Sequence, residues 1–441
     1  MNPDIREESE PVLAELLDPQ AVSVSNAGEI FRNQPNATAH PVNREGRIAA
    51  IDVLRGFALL GILLLNIQCF AMPSIAYLNP TAYGDLEKAN YWVWWCTHVL
   101  GDQKFMSIFS MLFGAGVVLM TRSGQARTGH SAAIHYRRMF WLILFGFLHA
   151  HLLWDGDILF SYGICGLLLW PLRNLSAKVL IPVGLVLIAF GSLPILELGL
   201  SMPLWPEDAL ADLNHEWQPS DESIQQILDA FRGSWLDQAP YRSMEAIVFQ
   251  TVILAFWTFW RAGGLMIVGM GLFQLDFFHA RWPSSRYLLL VMLTLPIGVS
   301  LSAYGVHWNE QRDWATQTSY LLGSLWNYWG SLLTAIAFAS LVILICKSRL
   351  IRLLFPLASV GQMALSNYLM QTVICTSIFY GHGLGWFGYL ERAEQLLIVI
   401  GVWLTQLIVS PIWLNYFRFG PAEWLWRSLT YWKLQPMLSN G

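Results

Sequence analysis

The sequence predicts an all-α, polytopic transmembrane helical bundle of about ten spans with both termini on the cytoplasmic side. Three observations predict it. First, 55% of the 441 residues are hydrophobic and only 13% are charged, about half the charged fraction of a soluble domain. Mean hydropathy is +0.44. Second, a bilayer core requires roughly 20 apolar residues in helix, and about ten such stretches occur: 51–70, 104–120, 138–153, 157–172, 179–196, 246–275, 287–304, 320–346, 356–380 and 395–414. Third, loop charge alternates. One set of loops carries Arg122, Arg127, Arg137 and Arg138, then Arg173 and Lys178, then Arg281 and Arg286, then Lys347, Arg349 and Arg352. The other carries Asp85, Glu87, Asp102, Asp155 and an acid-rich stretch over 197–245. The positive-inside rule places the first set in the cytoplasm.

Residues 1–46 are polar and rich in Glu, Asn and Pro, which reads as a disordered cytoplasmic tail without a cleavable signal. The Asn36-Ala37-Thr38 sequon falls in it. Residues 47–196 form an N-terminal five-helix half, 197–245 an extracytoplasmic loop, and 246–441 a C-terminal five-helix half with an interfacial tail. The loop is either a lid over a site or an amphipathic cover on the bilayer surface. The spans around 138–153 and 157–172 are short, and Trp154-Asp155-Gly156-Asp157 separates them as a turn.

Net charge is −4, too small to indicate a nucleic-acid partner; the lipid bilayer is the expected surrounding. Cys69, Cys96, Cys165, Cys346 and Cys375 lie in or beside apolar runs without CxxC pairing, so they read as packing residues. No metal-ligand spacing, P-loop or GxSxG motif appears.

Ionisable and amide groups at lipid depth mark candidate sites. Asp52 and Arg55, three apart, share a helix face near the cytoplasmic end. They read either as a receptor for the polar part of a cytosolic donor or as a structural ion pair. Asn66 lies about three turns deeper. His149 ends the third span and Asp157 opens the fourth, so a tight hairpin sets them at similar depth. A carboxylate beside an imidazole is either a general-base pair or a bond that locks the hairpin. His98 is a second candidate base on that side. Lys104 opens the second span and is expected to snorkel to the interface. Arg261 sits mid-way in a long apolar stretch and suits an anion, unless the helix breaks at Gly263-Gly264. Asn367 and Gln371, four apart, line either a cavity or a helix interface. Glu423 and Arg427 mark an interfacial tail helix.

These motifs also carry a resemblance. Asp52-Val53-Leu54-Arg55-Gly56, Phe109-Ser110-Met111-Leu112-Phe113-Gly114-Ala115-Gly116, Leu148-His149-Ala150, Gly156-Asp157-Ile158-Leu159, Gly361-Gln362-Met363-Ala364-Leu365-Ser366-Asn367-Tyr368-Leu369 and Gly420-Pro421-Ala422-Glu423-Trp424 resemble the YeiB-like family of bacterial inner-membrane proteins. That family's C-terminal third is a domain of unknown function. Its first helices are similar to those of the transmembrane acyltransferases, which include the lysosomal enzyme that acetylates heparan glucosamine from cytosolic acetyl-CoA. The resemblance implies a bacterial inner-membrane location, an acyl-CoA co-substrate and an acceptor on the far side, with Asp52, Arg55 and Asn66 carried over. The relatives' histidine in the loop after the first helix has no counterpart in Phe70-Ala71-Met72-Pro73-Ser74-Ile75-Ala76-Tyr77. The base would then be His149 or His98, with Asn66 or Arg261 on the oxyanion. A transporter of a small amphipathic or anionic solute, and a non-catalytic scaffold, are the alternatives. A dimer of identical chains is left open.

Overall fold

The computed structural model describes residues 49–125 and 131–439. The predicted tail over 1–46, with its sequon, and Arg127 lie outside the described residues. The fold is an all-α bundle. Its helices, in chain order, are α1 Ala49–Ala71, α2 Lys88–Leu100, α3 Lys104–Gln125, α4 Ser131–Leu152, α5 Leu159–Leu169, α6 Ala177–Ser201, α7 Glu207–Trp217, α8 Asp221–Arg232, α9 Trp235–Val248, α10 Phe259–Gln274, α11 Ser284–Glu310, α12 Ser324–Cys346, α13 Phe355–Gln362, α14 Ala364–Phe379, α15 Arg392–Tyr416 and α16 Pro421–Tyr431.

Among the described residues, seven helical segments are long and apolar enough to cross a membrane: 49–71, 88–121, 177–204, 235–274, 284–310, 316–346 and 392–416. The other three predicted stretches are also helical, but each departs from an uninterrupted apolar rod. α4 carries His135, Arg137 and Arg138 in its opening turns. α5 has 11 residues and continues as a tighter turn over Trp170–Asn174. The ninth stretch breaks at Met363 into α13 and α14.

Loop contacts sort into two ends. At the basic end, Gln274 Nε2 donates to Leu175 O at 2.9 Å, Lys347 Nζ to Ala280 O at 2.6 Å, and Trp426 Nε1 to Arg138 O at 3.0 Å. At the acidic end, Trp217 Nε1 donates to Trp314 O at 2.7 Å, Arg232 Nε to Phe387 O at 2.8 Å, and the Gly388 amide to Ala71 O at 2.7 Å. The stretch over 197–245 is a helical cover docked into the protein by buried Trp217, Ile224, Leu228 and Phe231. It begins later and ends earlier than predicted, because α6 runs on to Ser201 and α9 starts at Trp235.

Small residues bring the central helices together, as they do where lipid supplies no hydrophobic drive between spans. A Cβ at Gly114 of α3 would collide with Met266 O of α10, and one at Gly269 with Met111 O. At the basic end, a Cβ at Gly361 would collide with Asp52 O, and one at Gly56 with Leu357 O.

The tail helix α16 holds the broken span. Glu423 Oε1 accepts from the Leu365 and Ser366 amides at 2.6 and 3.2 Å, and Oε2 from Ser366 Oγ at 2.5 Å. A side chain from a remote helix thereby satisfies amides at the start of α14 that have no intrahelical partner. Glu423→Ala should lower stability by about 1–2 kcal/mol, in the range of lost helix caps, read as a drop in Tm in detergent.

Candidate functional site

The last turn of α4 places His149, and the turn that follows brings Asp157 back to it. The amides of Leu153 and Trp154 bond to His149 O at 2.9 and 3.0 Å and end the helix there. Asp157 Oδ2 accepts from the Phe160 amide at 2.8 Å and so anchors the first turn of α5. Its Oδ1 lies 2.9 Å from His149 Nδ1. His149 is 3% exposed. Its Nε2 meets Thr372 Oγ1 of α14 at 3.0 Å. A carboxylate only accepts, so Nδ1 donates to Asp157, and Nε2 faces the Thr372 hydroxyl, which also lies 3.5 Å from Tyr368 O. Acid, imidazole and hydroxyl thus stand in the order used to activate a nucleophile. The Tyr368 ring, one turn earlier on α14, lies 5.2 Å from the imidazole, and its buried hydroxyl faces the Ile158 backbone.

A second polar centre is built from α2, α3, α10, α11 and α12. Lys104 is 0% exposed, which corrects the expected snorkelling. Its Nζ donates to His98 O at 3.2 Å, Ser302 Oγ at 3.1 Å and Asn327 Oδ1. Those three acceptors hold the ammonium inside. Asn327 Nδ2 donates to Asp102 Oδ2 at 2.7 Å, and Tyr77 donates its hydroxyl to Asp102 Oδ1. An amide therefore bridges Lys104 and Asp102.

Arg261 is also 0% exposed, and the helix runs unbroken through Gly263-Gly264. Its Nη1 donates to Tyr328 O at 2.8 Å and its Nη2 to Ser331 Oγ at 2.6 Å, with Ser107 Oγ at 3.5 Å. The guanidinium lies 4.3 Å over the Tyr328 ring. It forms no ion pair among the described residues, and Asp102 is the carboxylate that reaches it electrostatically. Two buried cations thus face one acid. One turn along α3 from Ser107, Ser110 Oγ is 2.6 Å from the Tyr162 hydroxyl of α5. This serine pair forms a polar seam between the Arg261 centre and the α5 wall of the histidine centre.

The other predicted residues lie apart from these two centres. His98 stacks on Trp94 at 5.5 Å, with Asp102 at 3.8 Å, and belongs with Lys104 and not with His149. Asp52 and Arg55 form the expected pair at 3.2 Å, and Arg55 Nη1 also reaches Gly361 O at 3.4 Å. Asn66 is half-buried and makes no side-chain hydrogen bond among the described residues. Asn367 bonds Val360 O and Ser410 Oγ, Gln371 bonds Gln406, and Gln406 bonds Asn367 O. This stripe is a helix interface with α15. Sequence reasoning missed Thr372. It directly follows Gln371 in the polar run and keeps a 3.5 Å contact to Tyr368 O of its own helix, so only its cross-bundle partner sets it apart.

Between α4 and α5, Asp155 sits outside the spans. Burial pushes its carboxyl up to about 7 from 3.8, with Glu245 adding to the rise and Arg242 opposing it. Folding therefore retains a proton that the unfolded chain has lost across that window. Stability should fall as pH rises from about 4 to about 7 and level off above it. Asp155→Asn should flatten that slope in Tm measured against pH.

Comparison with known proteins gives a consistent picture. Residues 272–433 match the family described as "Protein of unknown function (DUF418)". The chain is 35% identical over 403 residues to "Uncharacterized protein YeiB" of Escherichia coli (strain K12), which covers 89% of this chain and 99% of that protein. It is 28% identical over 429 residues to "Uncharacterized protein YxaH" of Bacillus subtilis (strain 168), covering 91% and 98%.

Proposed function

This chain belongs to the YeiB-like family of membrane proteins, and from that premise we propose that it is an acyltransferase of the bacterial inner membrane. It would move an acyl group from a cytosolic acyl-CoA to an acceptor at the extracytoplasmic side. The observation that carries this reading is the buried Asp157–His149–Thr372 array. An acceptor hydroxyl or amine that replaces the Thr372 hydroxyl as partner of His149 Nε2, the threonine turning to Tyr368 O, gives its proton to that nitrogen as it attacks the thioester carbonyl. A new bond forms from the acceptor atom to the acyl carbon, the C–S bond breaks, and the CoA thiolate leaves with the proton that His149 returns. Asp157 holds the ring in the required tautomer and steadies the imidazolium between the two transfers.

The donor's phosphates suit the basic end, where Arg55, Arg138 and Arg427 are electrostatic neighbours and attract anions. From Arg138 to His149 is about 16 Å along α4 at 1.5 Å per residue, so the acyl arm would cross most of the bundle. Transport has less support. The Asn367 and Gln371 groups that would line a path are already bonded to Ser410 and Gln406.

A thermal shift against a panel of acyl-CoAs tests the donor site. A ligand at 100 times its Kd that binds only the native state should add about 2.7 kcal/mol. The expected result is a Tm rise with acyl-CoA that is reduced in Arg55→Ala. No rise with any CoA species in folded protein would contradict the reading.

A further inference from the structure

Above the histidine centre, α9 presents groups that no described residue satisfies. Arg242 is 1% exposed. Its Nε donates to His151 O at 2.9 Å, but Nη1 and Nη2 have no hydrogen-bond partner among the described residues. The buried Tyr380 hydroxyl, at the end of α14, is also unpartnered and is an electrostatic neighbour of Arg242. One turn before Arg242 on the same face, Gln238 is 0% exposed and leaves its Oε1 unbonded. Its Nε2 is held by Phe231 O and Gly233 O at 3.2 and 3.1 Å. Phe231 O also accepts the Gly381 amide, and the Phe231 ring packs on Tyr380 at 5.1 Å. The end of α8, α9 and the end of α14 are therefore packed together at Phe231.

A buried charged donor left unmet carries a penalty of several kcal/mol, so native structures rarely retain one without a ligand or water. Asp155 is within electrostatic reach of Arg242, yet no ion pair forms between them among the described residues. The two free Nη groups form a fork that matches two oxygens of one anion. The outward face of α9 carries exposed Leu236, Met244 and Ile247. An apolar face beside a buried cation at the end of a span is the setting of the lipid headgroup layer. Trp235, whose ring lies 4.8 Å from the guanidinium, covers the fork and is itself 37% exposed.

We propose that Arg242, Tyr380 and Gln238 form a phosphate-binding site at the acidic end of the bundle. It takes the phosphate of a lipid headgroup or free phosphate: Arg242 holds two oxygens, Tyr380 donates to a third position, and Gln238 Oε1 accepts from a protonated oxygen or a neighbouring hydroxyl. The site stands independently of acyl transfer, because its evidence is the unmet donors and not the imidazole.

The test uses full-length protein stripped of lipid in an uncharged detergent. Tm is followed against a short-chain phosphatidylglycerol and, separately, inorganic phosphate, with chloride at matched ionic strength as control. The expected result is a saturable rise with at least one phosphate source. Tyr380→Phe should weaken the half-saturating concentration about tenfold, one hydrogen bond to a charged group. Arg242→Gln should abolish the rise. A response to the phospholipid alone assigns a headgroup, and a response to both assigns free phosphate as sufficient. If Arg242→Gln does not fold, Tyr380→Phe still decides, since it removes a hydroxyl without changing charge. No response of the wild type to either source, or an undiminished response in Tyr380→Phe, overturns the site.

Discussion

His149→Ala is expected to reduce acyl transfer by about 10²- to 10⁴-fold, the usual contribution of a positioned general base. The same change leaves buried Asp157 without its ring partner, so stability should fall too, by about 1–3 kcal/mol. The two effects separate through Thr372, which lies 3.0 Å from Nε2. Thr372→Val keeps the volume and removes the hydroxyl. If the hydroxyl only marks the acceptor's place, transfer by Thr372→Val should stay within about tenfold of wild type. If Thr372 carries the acyl group itself, the variant should be as inactive as His149→Ala. Asp157→Asn should follow His149→Ala in direction, because the amide no longer fixes the tautomer. A His149→Ala protein that is less stable yet transfers at the wild-type rate would make the array a structural lock for the hairpin. Rates are read in vesicles at matched amounts of folded protein.

The largest effect on folding is expected at the α3–α10 crossing. Gly114→Val would drive a branched side chain into Met266 O, which is backbone and cannot rotate aside. Overpacking usually costs about 1–3 kcal/mol; a collision with helical backbone on a paired crossing should exceed that. Gly269→Val, which meets Met111 O, should behave alike. Neither variant is expected to elute as a monodisperse peak. Gly116→Val lies on the same helix with open space at its Cβ and should be recovered in wild-type amounts. Equal recovery of all three would show that the crossing is looser than described.

Much of this was legible in the sequence because its signals are local. Apolar length marked ten helical stretches but not α2, α7 or α8, and the turn at Trp154-Asp155-Gly156-Asp157 set His149 against Asp157 eight residues away. The Asp52–Arg55 pair needs one helical turn and no tertiary knowledge. What escaped depends on partners far along the chain. Lys104 stands at a helix start, where a lysine ordinarily reaches water. Ser302 and Asn327, from α11 and α12, supply the acceptors that keep it inside. The Asn367–Gln371 stripe looked the same whether it faced a cavity or α15, and only Ser410 and Gln406 decide it. The break at Met363 is capped by Glu423, which meets the amides of Leu365 and Ser366 from a helix nearly sixty residues downstream. Arg242 and Tyr380 carried no local signal, since an arginine in an acid-rich loop reads as solvated.

The most direct measurement is release of free CoA thiol from acyl-CoA supplied to the basic face of sealed, inside-out vesicles holding the purified protein. Labelled acyl group on the opposite side is followed in the same sample. The expected result is thiol release on the basic face coupled to acylated product on the acidic face, both lost in His149→Ala. Release of neither thiol nor product across a panel of acyl chains and acceptors, by protein that is folded and binds acyl-CoA, would contradict it.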